Sequence, residues 1–168
     1  EAIHREVDGL AVSLTQTLGP RLVCARGCSS CCLDDLTVFE VEAELIKARC
    51  GDFLASAQPS EEGGCAFLDD QGACRIYQWR PYVCRTQGRP LRWFEDEIQA
   101  EERRDICPLN DDAMAALGES LTELKADVCW TLGPWEVRLA SLQAEASGRF
   151  EPTRVSLRSL FGNSNSLS

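Results

Sequence analysis

Residues 24–32 read CARGCSSCC, which places four cysteines within nine residues. A chain of 168 residues can bury a sizeable core without cross-links, so its ten cysteines need another explanation. They form either a disulfide framework in an oxidising compartment, or a metal or redox site in a reducing one. The adjacent pair Cys31–Cys32 fits the disulfide framework poorly, because neighbouring residues rarely have the geometry to bridge each other.

Charge and hydropathy narrow the partners and the compartment. The net charge of −10 disfavours nucleic acid and anionic membranes, because both would be repelled. No apolar run approaches the ~20 residues that span a bilayer. The N-terminal residues also lack the apolar core of a signal peptide. We therefore expect a cytoplasmic protein that binds neither nucleic acid nor membranes. The sequence neither identifies nor excludes a protein partner.

The first half of the chain predicts two helices. Apolar residues at helical spacing indicate a helix over 3–18, with His4 on its solvated side. A second helix is predicted over 38–49, opened by a capping box of Thr37 and Glu40 and ended by Gly51.

The middle of the chain is less regular. Two short runs around Asp69–Gly72 predict a β-hairpin with Cys65 and Cys74 on facing strands. The segment QWRPYVCR (78–85) is predicted to be extended or turned, because Pro81 disfavours helix before it. Residues 93–108 are predicted to be partly helical.

The C-terminal part predicts two more helices, one capped at residues 110–112 and continuing to Val128, and one over 135–147. The serine-rich end predicts a flexible tail over 156–168. The predicted fold class is mainly α with a small β-hairpin and an irregular, cysteine-rich, metal-centred core. The sequence predicts a single metal-binding domain over 1–155, with the cysteine core at about 20–110 and C-terminal helices at 111–150.

Eight cysteines are candidate metal ligands: Cys24, Cys28, Cys31, Cys32, Cys65, Cys74, Cys84 and Cys107. The other two, Cys50 and Cys129, lie at the ends of predicted helices, away from the cluster in sequence, where a lone cysteine is usually a small buried hydrophobe. Since His4 is the only histidine, the site is all sulfur, or sulfur with an acid. The nearby acids are Asp34, Asp35 and Glu40.

Thiolates suit zinc and iron–sulfur clusters. Zinc needs four ligands converging on one ion, whereas a larger cluster accommodates the vicinal Cys31 and Cys32 more easily, so the pattern favours iron–sulfur over zinc. The spacing of Cys24, Cys28 and Cys31 also matches radical S-adenosylmethionine enzymes, but this chain lacks their alternating strands and helices.

A local reversal of charge adjoins the later cysteines. Residues 71–94 contain five arginines and no acid. Arg80 and Arg85, which flank Cys84, are the candidates to offset thiolate charge and to contact a cofactor.

Four segments together resemble the YkgJ-type cysteine-cluster family, the CxxCxxCC domain described as zinc- or iron-chelating. They are CARGCSSCC (24–32), TVFEVEAELI (37–46), CAFLDDQGACRIYQWRPYVCR (65–85) and RDICP (104–108). The resemblance implies that the eight candidate cysteines correspond to the family's ligands. One departure is the opening: the family has C-x2-C, whereas here three residues separate Cys24 from Cys28.

Two classes of function follow. The first is a metal-binding protein that handles or senses metal or transfers electrons, and the absence of a histidine base or a carboxylate pair favours it. The alternative is a metalloenzyme or accessory domain whose cluster supports redox chemistry near Arg80 and Arg85. A related domain in a flagellin lysine methylase implies methyl-transfer-linked chemistry for that alternative.

Overall fold

A computed structural model describes residues 1–95 and 101–162. The chain forms two compact units: unit 1 comprises Glu1–Ala25 and Arg85–Val137, and unit 2 comprises Arg26–Cys84 and Arg138–Ser168. The helices are α1 (Ala2–Leu18), α2 (Glu40–Ser56), α3 (Tyr82–Thr86), α4 (Pro108–Ala116) and α5 (Pro134–Ser147). The strands are β1 (Thr37–Phe39), β2 (Leu91–Phe94), β3 (Glu102–Asp105), β4 (Trp130–Thr131) and β5 (Arg154–Ser156).

The predicted fold class, mainly α with small β elements, is confirmed. The single domain over 1–155 stays a prediction. No helix within the two described ranges is both long and apolar enough to cross a membrane.

In unit 1, helix α1 ends before Gly19, as predicted. Its buried side chains are His4, Val7, Ala11 and Leu18. These positions are three, four and seven residues apart and so share one face of the helix. The prediction of a solvated His4 is wrong, since the side chain is only 6% exposed. The imidazole lies on the face that packs against the unit.

The predicted helix over 93–108 is also wrong where the structure describes it. Strand β2 pairs antiparallel with β3 and parallel with β4, and residues 96–100 lie outside the described residues. The charged residues that suggested an exposed helix instead pair around the sheet. Arg92 Nη1 lies 3.6 Å from a carboxylate oxygen of Glu102, and Arg103 Nε lies 2.7 Å from one of Glu95.

Helix α4 is shorter than the helix predicted to continue to Val128. It begins after Cys107 with Pro108 in its first turn, and it ends at Ala116. Gly118 then adopts a φ of 75°. Two 3-10 turns follow, at Leu121–Glu123 and Ala126–Val128.

In unit 2, helix α2 differs from its prediction at both ends. Thr37 lies in β1 rather than capping the helix, and the Glu40 N–H donates instead to Gln143 Oε1 at 2.7 Å. Gly51 does not end the helix, which bends at Cys50 (φ −125°, ψ 19°) and continues to Ser56.

The predicted hairpin over 65–77 is reduced to a turn closed by one bridge. Cys74 lies opposite Leu68 in this bridge, and the thiols of Cys65 and Cys74 interact electrostatically, so the two cysteines lie on opposite sides of the turn, as predicted. The turn is stabilised by Asp69, whose Oδ1 accepts hydrogen bonds from the N–H groups of Gln71 at 2.9 Å and Ala73 at 2.8 Å.

The segment 78–85 is extended only at Arg80, which has φ −56° and ψ 142°. A 3-10 turn over Tyr77–Trp79 precedes it and helix α3 begins directly after Pro81, so the prediction of an extended or turned segment fits residues 78–80 and is wrong for the residues in α3.

Within the predicted flexible tail over 156–168, the described residues pack into unit 2, and residues 163–168 lie outside the described residues. Strand β5 pairs antiparallel with β1, and Leu157, Leu160 and Phe161 are buried in the core that also contains Ile46 and Phe67. Apolar residues spaced three and four apart form this contact, and the surrounding serines concealed it. Helix α5 matches the helix predicted over 135–147.

We expect Leu157→Ala to lower the free energy of unfolding of the full chain by about 2–5 kcal/mol, because it leaves a cavity in this core. The matched control is Leu142→Ala, since Leu142 is 43% exposed and should lose little. Urea unfolding followed by far-UV circular dichroism measures both. Equal midpoints for the two variants would mean that the 157–161 segment does not pack as described.

Candidate metal centre

The two units divide the eight candidate cysteines. Six lie in unit 2: Cys28, Cys31, Cys32, Cys65, Cys74 and Cys84. Cys24 and Cys107 belong to unit 1. None of the ten cysteines, all of which lie in the described residues, forms a disulfide.

The cysteine loop of unit 2, which comprises residues 26–36, is held in place by backbone hydrogen bonds and close backbone contacts. The N–H of Cys32 donates to Ser29 O at 2.8 Å, and the N–H of Cys65 donates to Cys32 O at 3.0 Å, which brings these two cysteines together. Gly27 and Gly72 allow the loop to approach the turn after Asp69. A Cβ on Gly72 would lie 2.9 Å from Gly27 O, and both glycines have positive φ.

Cys74 and Cys84 are positioned by short local structures. Cys74 follows the turn and forms the single bridge to Leu68. Cys84 lies in the first turn of α3, where its N–H donates to Pro81 O at 3.1 Å. Both thiols interact electrostatically with Cys65. We call Cys31, Cys32, Cys65, Cys74 and Cys84 the thiol group, because each interacts with at least one other member.

The vicinal pair shares a proton unequally. The thiol of Cys32 donates a hydrogen bond to Cys31, which lowers the pKa of Cys31 to about 6 against the opposing effect of burial. The same hydrogen bond raises the pKa of Cys32, and burial and the charges of Cys31, Cys65 and Cys84 raise it further. The hydrogen bond therefore favours a thiolate on Cys31 over one on Cys32.

Burial is the main effect on the other three thiols. It raises the pKa of Cys65, of Cys74 and of Cys84. The charges of neighbouring thiols and of Glu42 add to the increase at Cys84. Several thiolates in this interior therefore repel one another and need a cation to offset their charge.

Arginines supply part of that positive charge. The charge of Arg75 lowers the pKa of both Cys65 and Cys74. Arg158 also lowers the pKa of Cys65, and Arg80 that of Cys74. Arg85 lies in unit 1, where it is 3% exposed and forms an ion pair with Asp8. The roles predicted for Arg80 and Arg85 in cofactor binding stay predictions.

The acids near the cysteine loop have arginine partners or lie exposed. Asp34 pairs with Arg158 at 2.6 Å and Glu40 pairs with Arg149 at 2.6 Å, while Asp35 is exposed. The sequence analysis overlooked Glu42, which is 4% exposed and accepts a hydrogen bond from the N–H of Tyr82 at 2.7 Å. Its position on the buried face of α2 was the available signal.

The remaining cysteines have different surroundings. In unit 1, Cys24 is exposed and its Sγ accepts a hydrogen bond from Asn110 Nδ2 at 3.2 Å, while Cys107 is buried at the start of α4. Cys50 and Cys129 are 8% and 6% exposed, so the prediction that they are buried is confirmed.

The thiol group suits a soft metal by the chemistry of its donors, since thiolates prefer zinc, copper(I) and iron–sulfur clusters. Within residues 1–95 and 101–162, no three cysteine, histidine, aspartate or glutamate side chains are placed to hold one ion as they lie. Ligation therefore requires side-chain rotation within the thiol group.

We expect iodoacetamide to modify Cys31 of the metal-free chain before the other unit 2 thiols, with a rate that rises around pH 6, because the thiolate is present above its pKa. Cys32→Ala removes the hydrogen-bond donor and should shift this profile to higher pH. Peptide mass spectrometry measures the modified fraction at each pH. Buried Cys129 is the internal control, and a profile unchanged by Cys32→Ala would contradict the assignment.

Comparison with known proteins agrees with the donor set. A family model described as "CxxCxxCC: Putative zinc- or iron-chelating domain" matches residues 23–110, which is more than half of the chain. Searches of curated proteins and of solved structures found no match. The matched range contains the eight candidate cysteines and the whole thiol group. The chain thus belongs to the CxxCxxCC family.

Proposed function

We propose that unit 2 binds a metal centre through the thiol group and that the protein handles or senses metal or transfers electrons. The observation that carries this proposal is the clustering of five thiols whose charges act on one another in a partly buried site. Membership in a family described as chelating zinc or iron supports it.

The electrostatics favour a bound cation. Burial opposes ionisation of Cys65, Cys74 and Cys84, so the metal-free centre holds fewer thiolates than it has sulfurs. Cys65, Cys74 and Cys84 would hold a metal as thiolates, so their protons would be released to solvent on binding, and the positive charge of the metal would offset the negative charge of the thiolates. When bound, the metal supplies either a structural cross-link or, as iron, a redox couple.

An iron–sulfur cluster fits this arrangement better than a single zinc ion. Cys31 and Cys32 both interact with Cys84, so both vicinal thiols belong to the same group. A tetrahedral ion requires four sulfurs to converge on one atom, whereas the sulfurs around a cluster bind different iron atoms.

The ligand set follows from the same contacts. We propose that the thiol group provides the ligands, with Cys28 available from the same loop. Ligation by Cys24 and Cys107 remains a proposal that rests on the family spacing. Arg75, beside Cys74, compensates charge at the centre. A centre with free thiolates requires a reducing compartment, so we further propose a cytoplasmic location.

Metal analysis of protein purified without oxygen tests the main proposal. We expect iron and acid-labile sulfide in similar amounts, with broad absorption in the visible range. Colourless protein with one or two zinc ions per chain would replace the cluster with zinc and retain thiolate ligation. Protein that contains neither metal and does not take either up would contradict metal binding.

Cys84→Ser tests the ligand set, and Cys129→Ser is the matched control. We expect Cys84→Ser to lose most of the bound metal and to lower the free energy of unfolding, because metal binding is coupled to folding. Cys129 is buried in unit 1 and bonds to Lys125 O, so its substitution should leave the metal content unchanged. Metal-to-protein ratios for the two purified variants decide this, and equal ratios would remove Cys84 from the ligand set.

A further inference from the structure

Arg158 makes an unusual number of polar contacts for one side chain. Its Nε donates to Asp34 Oδ1 at 2.6 Å, and its Nη1 donates to Ser60 O at 2.7 Å. Its Nη2 donates to Gly64 O at 3.0 Å and to Glu61 O at 3.2 Å. One guanidinium therefore joins three carbonyls of the 60–64 loop to a carboxylate of the cysteine loop.

Two of these contacts lie close in sequence to a member of the thiol group. Asp34 follows Cys32 by two residues, and Gly64 directly precedes Cys65. A second tie joins the same loops, because the N–H of Gly63 donates to Asp34 Oδ2 at 3.0 Å. The Cys65 N–H to Cys32 O hydrogen bond joins the same two segments, so Arg158 ties together the stretches of chain that bring these two cysteines into contact.

The segment that carries Arg158 also supports the loop from its apolar side. Phe161 packs against Phe67 with ring centroids 4.8 Å apart. The guanidinium of Arg75 lies over the Phe161 ring at 5.6 Å and donates to Ala66 O at 2.8 Å. Ala66 directly follows Cys65. The C-terminal segment thus contacts residues on both sides of one thiol.

We propose that Arg158 is a positioning residue for the metal centre, fixing Cys32 and Cys65 in register through Asp34 and the 60–64 loop. The inference rests on the proposed function of the thiol group. It adds a residue from outside the matched range, which ends at residue 110. The shape of the side chain matters as much as its charge, because only a planar fork reaches these four acceptors together.

Arg154 provides a matched control from the same segment. It lies in β5 and donates to Thr37 O at 2.7 Å and to Thr37 Oγ1 at 3.0 Å. It also lies over the Phe39 ring at 4.8 Å. It therefore ties the segment to β1 by polar contacts similar in kind, but it contacts neither the cysteine loop nor the 60–64 loop.

The test is a titration of reduced, metal-free full chain with cobalt(II) in the absence of oxygen. The thiolate-to-cobalt charge-transfer band reports both affinity and, at saturation, thiolate ligation. We expect Arg158→Ala to weaken cobalt binding by about 10- to 100-fold, the usual loss for residues that orient metal ligands. The saturated band should also be weaker per bound cobalt. Arg154→Ala should match wild type in both readings.

Two further variants distinguish a positioning role of Arg158 from an effect of its charge alone and from a general loss of the fold. Arg158→Lys should bind as weakly as Arg158→Ala, since an ammonium cannot serve the four acceptors together. Full rescue by Arg158→Lys would overturn positioning in favour of charge alone. Asp34→Asn keeps the carbonyl contacts of Arg158 and should give a smaller loss, so it decides the matter if Arg158→Ala does not fold.

The remaining outcomes are equally distinct. Arg158→Ala with the affinity and saturated band of Arg154→Ala would overturn the inference and leave the proposed function intact. A wild-type chain that produces no charge-transfer band would overturn both.

Discussion

Mutual repulsion among thiolates in a partly buried site is the constraint on which the rest of unit 2 depends. At the effective dielectric of a protein, two like charges ~4 Å apart repel by about 4 kcal/mol. The thiol group limits this cost by favouring a thiolate on Cys31 over one on Cys32. Burial raises the pKa of Cys65, Cys74 and Cys84 and so favours their protonated form in the absence of a cation.

The positive charges around this group come from two parts of the chain. Arg75 and Arg80 lie within the range matched by the family, whereas Arg158 lies in the C-terminal segment. The guanidinium of Arg75 lies over the rings of both Phe53 and Phe161, at 5.0 Å and 5.6 Å from their centroids. Unit 2 therefore adds residues of its own to the family's cysteine pattern.

The cysteine spacing and the helical periodicity were sufficient to predict the chemistry, the fold class and the helices α1 and α5. The loops that position the thiols depend on contacts between distant residues, which local patterns do not reveal. Arg158 and Asp34 are 124 positions apart in the sequence, and no local sequence pattern near either residue predicts their ion pair. The β2–β3 pairing was concealed by charges equally compatible with an exposed helix. Leu157 and Phe161 were concealed by the serines around them.

The place of the 154–161 segment in the core of unit 2 has a consequence for synthesis in the cell. A ribosome makes the chain from its N-terminus, so Cys84 emerges long before Phe161. Until then, the core around Phe67 lacks the apolar side chains of the 154–161 segment, and the loop before Cys65 lacks its contacts with the Arg158 guanidinium. The nascent thiols are therefore more open to oxidants and to incorrect metals than those of the finished protein. The surroundings of Cys65 are therefore complete only when the 154–161 segment has been synthesised, and not when the cysteines emerge.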